Sequence, residues 1–324
     1  MKSEKTPGFA SGWFVACFSD QLAPGEVKPV RFFEKDLVLF RTESGEPVVL
    51  DAFCPHMGAH LGHGGEVRGE GVKCPFHAWV FDAEGQCSDI PYADKIPPRA
   101  KVACWPVQER NGFVFVWYDR AKGAPSWEIP VMPEFGDEAW TTWFHGELEV
   151  KTHPREIVEN VVDVGHFIPV HGTHVADISN VFDAHRATQI NSGTAYPIGG
   201  GKDDYSLVAT YHGPAWQLTE WKGFLDARLV NCHTPIDETT LLLRFGVLLK
   251  RSGDEDKDAL YADKYVENMR EGFFQDIRIW EHMSFREKPV LCAGDGPLIQ
   301  LRQWYQSFYQ PDAERVASLE SAHG

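Results

Sequence analysis

The sequence predicts an α+β protein in two parts, an N-terminal all-β domain followed by a domain that joins an antiparallel sheet to a few helices. Three observations carry this expectation. Residues 13–118 fall into short β-branched and aromatic runs broken by turn residues. Residues 123–137 are rich in Pro and Gly and have the composition of a linker. Beyond them, further strand-like runs alternate with one long amphipathic segment. The expected division is 1–125, with its folded body at about 10–122, and 126–324.

In chain order, Trp13–Cys17, Val30–Phe33, Leu37–Phe40 and Val48–Leu50 read as strands. Trp79–Asp82 and Cys87–Ile90 flank a turn at Glu84-Gly85, and Val102–Gln108 and Phe113–Tyr118 flank Asn111-Gly112, a strong hairpin signal. After the linker, Phe144–Lys151 is strand-like and Pro154 marks a helix start, because proline suits the first helical turn. Residues 205–211, 216–220, 226–232 and 239–250 are further strands. Ser252–Asp258 reads as a charged, solvated loop, Leu260–His282 as a long helix and Pro297–Tyr309 as another amphipathic stretch.

The most specific chemistry lies between Cys54 and His77. Cys54-Pro55-His56 is followed after seventeen residues by Cys74-Pro75-Phe76-His77. A C-x-H and C-x-x-H pair is the ligand set of a Rieske [2Fe-2S] centre, in which two neutral imidazoles replace two thiolates on one iron and make the cluster easier to reduce. Zinc is the rival reading, although zinc motifs more often pair like residues at each end. His60 and His63 miss both spacings and read as loop histidines. Cys87 reads as a thiol of the following hairpin.

Composition narrows the function classes. The chain has 324 residues, with 31 basic and 47 acidic side chains and a net charge of −16, which argues against a nucleic-acid surface. No apolar run reaches the roughly 18 residues needed to span a bilayer. Met1–Pro7 contains no apolar signal core, so the expected location is cytoplasmic. The seven cysteines, two of them assigned to the cluster, suggest no disulfide framework. There is no G-x-G-x-x-G fingerprint and no plant-type cysteine set, so no bound flavin or NAD is expected on this chain.

A second metal site is expected downstream. Asn160, Asp163 and His166 are spaced by three, within about 120° of one face of the helix begun at Pro154. Pro169 is expected to break that helix by pushing Ile168 out of helical geometry, so that His171 swings back towards His166. Two convergent histidines and one carboxylate form the facial triad of a mononuclear iron(II) oxygenase. Ala262, Val266, Met269, Phe273, Ile277 and Trp280 make one apolar stripe on the long helix, and Asp276 falls on it while Glu267, Glu271 and Glu281 do not. A carboxylate buried there needs a cation, either a metal or an arginine. His174 is the other histidine nearby and is set aside as a decoy.

On these segments the chain resembles the Rieske non-haem iron oxygenases, and most closely the oxygenase components of 3-ketosteroid 9α-hydroxylase and the Neverland-type cholesterol 7-desaturases. Asp89–Ala93, Trp105-Pro106, Asn111–Trp117, Asp276–Trp280, Asp295–Leu298, Arg302–Tyr305 and Phe308-Tyr309 carry that similarity. The resemblance implies a Rieske domain on a helix-grip catalytic domain, Asp276 as the carboxylate ligand beside His166 and His171, and O2 as co-substrate. It implies a head-to-tail homotrimer in which Asp163 links His77 of one subunit to His166 of the next. It also implies a separate NAD(P)H reductase, with or without a ferredoxin, and an apolar steroid or sterol substrate. No steroid contact between Asp177 and Gly246 follows from it. Desaturation or oxidative demethylation would use the same two centres. A non-catalytic Rieske electron carrier and a zinc-stabilised binding protein are the alternatives from other classes. The 11 Trp and 21 Phe suit an apolar pocket and core packing equally well.

Overall fold

A computed structural model describes residues 8–195, 201–223 and 225–310; the Met1–Pro7 reading therefore lies outside the described residues. The described residues form two compact units, one of Phe14–Tyr118 with Ile236–Glu238, the other of the rest of the described residues.

The first unit holds three small antiparallel sheets. Strands β1 (Gly12–Phe18), β11 (Phe113–Tyr118) and β10 (Val107–Arg110) form one, in the order β1-β11-β10. Strands β2 (Val27–Phe32), β3 (Lys35–Arg41), β4 (Pro47–Asp51) and β9 (Cys104–Trp105) form the second. The third, β5 (Glu66–Arg68), β6 (Gly71–Lys73), β7 (Val80–Phe81) and β8 (Cys87–Asp89), carries the loop around Cys74. The short β5 and β6 were not legible as strands, having only three residues each. The expected single strand Val102–Gln108 is two, β9 and β10, because Pro106 between them has no N–H to donate. Asn111 and Gly112 both have positive φ (57° and 81°), as the two-residue hairpin turn requires.

The second unit is built on a seven-stranded antiparallel sheet. Its order is β12 (Phe144–Val150), β18 (Leu241–Leu249), β17 (Ala227–Pro235), β16 (Trp216–Lys222), β15 (Asp203–His212), β14 (Arg186–Ala195) and β13 (His174–Asp183). The last two were missed in the sequence. Their apolar residues are few and interrupted by Asp, Asn, Ser and Gln, and a bulge between Val175 and Asp177 breaks the alternation. Helix α3 (Glu255–Trp280) packs on β12 and β18 through Ala262, Ile277 and Trp280, which bury against Val150, Leu241, Leu243, Val247 and Leu249. A long helix held across an antiparallel sheet is the helix-grip arrangement.

Three expectations change. Helix α3 begins at Glu255, so most of Ser252–Asp258 is not loop: Asp254 caps it by accepting from the Lys257 N–H, and Glu255, Asp256 and Asp258 suit the positive end of the helix dipole. The stretch 123–137 has no regular structure, yet Trp127, Ile129 and Met132 are buried, so it is packed rather than free. The helix begun at Pro154 does not run to Ile168. Helix α1 (Pro154–Glu159) stops at once, a turn follows, and α2 (Phe167–His171) is separate. The break comes before Pro169, not at it. Pro169 sits in the first turn of α2, where its missing N–H has no partner to lose. The short helix α4 (Leu298–Ser307) matches the expected amphipathic stretch.

Candidate metal centres

Two loops of the first unit hold the cysteine and histidine pairs, and they are built alike. In each the Cys N–H donates to the carbonyl five residues on, Cys54 to Ala59 (2.9 Å) and Cys74 to Trp79 (2.7 Å). In each the Cys carbonyl accepts from the residue four on, Gly58 (2.9 Å) and Ala78 (3.1 Å), and both of these have positive φ, 78° and 58°. Proline after each cysteine removes a donor that has no use in so tight a turn. Cys54 and Cys74 are buried at 2% exposure in the core with Val38, Leu61, Val72 and Phe81. His56 is exposed and His77 half-buried, with ring centroids 4.5 Å apart. His56 stacks on Trp79 at 4.7 Å, and the Trp79 indole N–H donates to the Tyr92 hydroxyl at 2.7 Å.

Burial pushes the Cys54 thiol up to about 11 against the pull of the His56 backbone N–H, and the adjacent Cys74 adds to it. Two thiolates side by side need a cation, and a metal bound to them would deprotonate both outright. Thiolates on the buried side and imidazoles on the open side fit a [2Fe-2S] cluster whose two irons take unlike ligands. His60 has a local partner instead: its Nδ1 accepts from the Gly62 N–H at 3.0 Å. Cys87 is buried and its thiol points to the Asp89 carbonyl at 3.5 Å.

In the second unit, donor atoms of His166, His171 and Asp276 all lie within 4.8 Å of one another. The broken helix brings this about. His153 caps α1 by accepting from Arg155 N–H at 3.2 Å, and past Glu159 the backbone tightens into i→i+3 bonds at Asn160, Val161 and Val162. Two amides fix the turn that follows: Asn180 on β13 and Gln189 on β14 both donate to the Val161 carbonyl, at 2.9 and 2.8 Å. His166 then precedes the first residue of α2, its side chain making no capping bond, and His171 ends the helix, Gly172 closing it in the left-handed region (φ 65°). The two rings stand 5.2 Å apart, nearly perpendicular.

Asp276 comes from α3, 8% exposed. Its Oδ1 lies 3.2 Å from His171 Nε2, and Asn160 Nδ2 donates to its Oδ2 at 3.4 Å. No arginine reaches it; the arginine reading of its cation has no support among the described residues. Burial depresses His171, but bonds to Asp276 and Gln275 outweigh it, and the net direction is up. Asp163 lies at the edge, its side chain 51% exposed, with Oδ2 at 3.4 Å from His166 Nδ1 and off the line of a hydrogen bond. The His166 ring holds its carboxyl below the ordinary range. His174 is exposed at the start of β13, outside the cluster. Two nitrogens and one carboxylate oxygen fit a divalent iron that keeps positions open.

The three donors line a pocket of about 230 Å³ between the sheet and α3, with Leu207, Ala209, Trp221, Leu229 and Phe273 as its apolar wall and Gln217, Thr219 and Asn231 as polar points. A wider depression of about 500 Å³ crosses β13–β16 on residues such as Ile190, Ser206, Glu220 and Lys222, away from these donors. Sequence reasoning missed Asn180, Gln189 and the strand residues of the pocket wall. Period-two alternation along β15, through Tyr205, Leu207, Ala209 and Tyr211, was the available signal, but it does not say which face meets the metal.

This is the architecture of a Rieske-type oxygenase. Two solved structures share the fold: dicamba monooxygenase bound to dicamba (TM-score 0.78, 20% identity, 94% of this chain and 98% of that one) and Pseudomonas putida CBB5 NdmA with caffeine (TM-score 0.78, 21% identity, 96% and 94%). Residues 12–106 match the Rieske [2Fe-2S] domain, and residues 116–309 match the 3-ketosteroid 9α-hydroxylase C-terminal domain. The chain is 37% identical over 318 residues to a 3-ketosteroid-9-alpha-monooxygenase oxygenase component of Rhodococcus rhodochrous, covering 93% of this chain and 83% of that one. It is 32% identical to the Mycobacterium tuberculosis counterpart (93% and 82%) and 30% identical to cholesterol 7-desaturase nvd 1 of Ciona intestinalis (98% and 72%). The chain belongs to the 3-ketosteroid 9α-hydroxylase family of Rieske oxygenases. It is therefore an enzyme, an oxygenase component that carries a Rieske cluster and depends on a separate reductase. No helix among the described residues is long and apolar enough to cross a membrane.

Proposed function

We propose that this chain hydroxylates a 3-ketosteroid or closely related sterol, using O2 and electrons delivered one at a time through its Rieske cluster. The observation that carries the reading is the His166–His171–Asp276 triad at the wall of an apolar pocket. Iron(II) held there would supply the oxidising chemistry at an unactivated C–H bond. The chain's own residues do the rest. Leu207, Ala209, Leu229 and Phe273 exclude water and grip an apolar skeleton. Trp221 Nε1 and Asn231 Oδ1 have no hydrogen-bond partner although buried, so one donor and one acceptor await the polar ends of a substrate. Asn160 holds one oxygen of Asp276 and leaves the other for the metal.

Cys54 and Cys74 on one iron, His56 and His77 on the other, form the cluster-binding set in this reading. Asp163, half-exposed beside His166, is the bridge by which a neighbouring subunit's cluster supplies electrons, in a head-to-tail trimer. The division of labour falls at 125/126, and the working location is the cytoplasm. The likeness to a cholesterol 7-desaturase favours desaturation as the second reading, because both outcomes use the same centres.

Anaerobically purified protein should contain three irons and two acid-labile sulfides per chain, and should hydroxylate 3-ketosteroids with a surrogate reductase under O2. A product with a new double bond in place of a hydroxyl would favour desaturation. Zinc without sulfide, or a reducible cluster with no turnover of any steroid or sterol tested, would refute the proposal.

A further inference from the structure

Two consecutive residues of α3 address the two nitrogens of one imidazole. Asp276 Oδ1 lies 3.2 Å from His171 Nε2, and Gln275 Oε1 lies 2.9 Å from His171 Nδ1. A neutral imidazole has one N–H and one lone pair, and its hydrogen-bond partner decides which nitrogen has which. A carboxamide oxygen can only accept. The 2.9 Å contact therefore puts a proton on Nδ1, so that Nε2, on the side where Asp276 and His166 converge, is the nitrogen left to give its lone pair when a metal takes the place of its contact to Asp276.

The backbone alone would not hold this ring. His171 is the last residue of a five-residue helix, followed by a left-handed glycine, and its side chain is 18% exposed. The rotation of the imidazole is thus set by what it touches. The Phe167 ring is near but offers no polar atom, at 6.2 Å between centroids.

We propose that Gln275 is a positioning residue of the metal centre: its side-chain oxygen accepts from His171 Nδ1–H and so presents Nε2 as the metal donor. This rests on the reading of His166, His171 and Asp276 as metal ligands. A partner that orients a ligating histidine is worth about 10–100-fold in metal affinity. Gln275 escaped the sequence reasoning because a glutamine beside an apolar stripe looks like any surface residue, and only the fold brings it to a histidine 104 positions away.

The test is the iron(II) dissociation constant of the full chain with its cluster in place, measured anaerobically by competition with a chelator. Gln275→Leu should weaken binding by about 10–100-fold, whereas Gln275→Glu, which can only accept, should stay within about threefold of the parent. The visible spectrum of the Rieske cluster should be unchanged in both. Gln275→Ala makes the same comparison should the leucine variant fail to fold. Affinity in Gln275→Leu or Gln275→Ala within about twofold of the parent would overturn the proposal. So would an equal loss in Gln275→Glu, which would mean that the amide donates. A parent chain that takes up no iron at this site would overturn the triad itself, a failure distinguishable from the other two.

Discussion

Asp276→Ala separates a metal ligand from a structural acid, because the two roles predict opposite behaviour of the metal-free protein. Asp276 is 8% exposed and has two polar contacts, both long for hydrogen bonds to a carboxylate, at 3.2 and 3.4 Å. If its task were to pair with a protonated His171, removing it would strand a buried charge and cost about 3–5 kcal/mol of stability. If its task is to bind iron, the metal-free protein loses little, because a buried carboxylate with only two long polar contacts leaves with it. The loss then appears in metal binding, and it should exceed the roughly 100-fold that a mere orienting partner is worth. Iron at 100 times its dissociation constant stabilises the parent by about 2.7 kcal/mol. For a catalytic unit of this size that is an upward shift of about 5–10 °C in unfolding temperature. Thermal unfolding with and without iron(II), in parent and variant, is the assay. The parent should shift by that amount and Asp276→Ala by less than about 1 °C, with the Rieske spectrum intact in both. A variant that keeps the parent's iron-dependent shift, or whose metal-free form falls by the full ion-pair cost while the parent shows no shift, would sink the ligand assignment.

Other expectations can be checked alongside. Asp163→Ala should keep the cluster and the mononuclear metal yet lower steady-state turnover by at least about tenfold; single-turnover product from pre-reduced protein at the parent's rate would remove Asp163 from the electron path. Burial holds His212 and His233 down at about 4 and His153 down at about 3, with Arg186 and His185 adding to His212 and Arg155 to His153. Their ordinary value is about 6.5, so between pH 6.5 and 4 the unfolded chain binds protons that the folded one refuses. Stability should therefore fall as pH drops through that window, by at most about 3 kcal/mol for each histidine (about 1.4 per unit), only partly offset by Glu156, whose carboxyl burial raises. Urea midpoints at pH 7, 5.5 and 4.5 test this, and a flat profile would refute it. A Cβ on Gly296 would stand 1.9 Å from the Val162 carbonyl, so Gly296→Ala should destabilise the second unit by about 1–3 kcal/mol and loosen the turn before Asp163, read as weaker iron binding.

Much of this molecule was written locally. The spacing Cys54-x-His56 and Cys74-x-x-His77 carries the cluster-binding loops, because each pair sits in one tight turn and needs no distant residue to form. The apolar stripe of α3 was equally legible, since 3.6-residue periodicity puts Asp276 beside Phe273, Ile277 and Trp280 whatever the helix packs against. Family resemblance then supplied what spacing alone left open, the pairing of Asp276 with His166 and His171.

What the sequence left undecided was set by contacts across long separations. The helix after Pro154 ends at Glu159, and His171 turns back, because Asn180, Gln189 and the backbone near Gly296 hold the turn at Val161 and Val162, and none of these is a neighbour in sequence. Strands β13 and β14 exist through pairing with each other and with β15 rather than through any strong pattern of their own. Gln275 acquires a role only when α3 is laid beside α2. Ligand identity is a matter of residue type and local spacing and can be read from the sequence. Ligand geometry depends on which distant groups satisfy the backbone and the second nitrogen of a ring, and only the tertiary fold decides that.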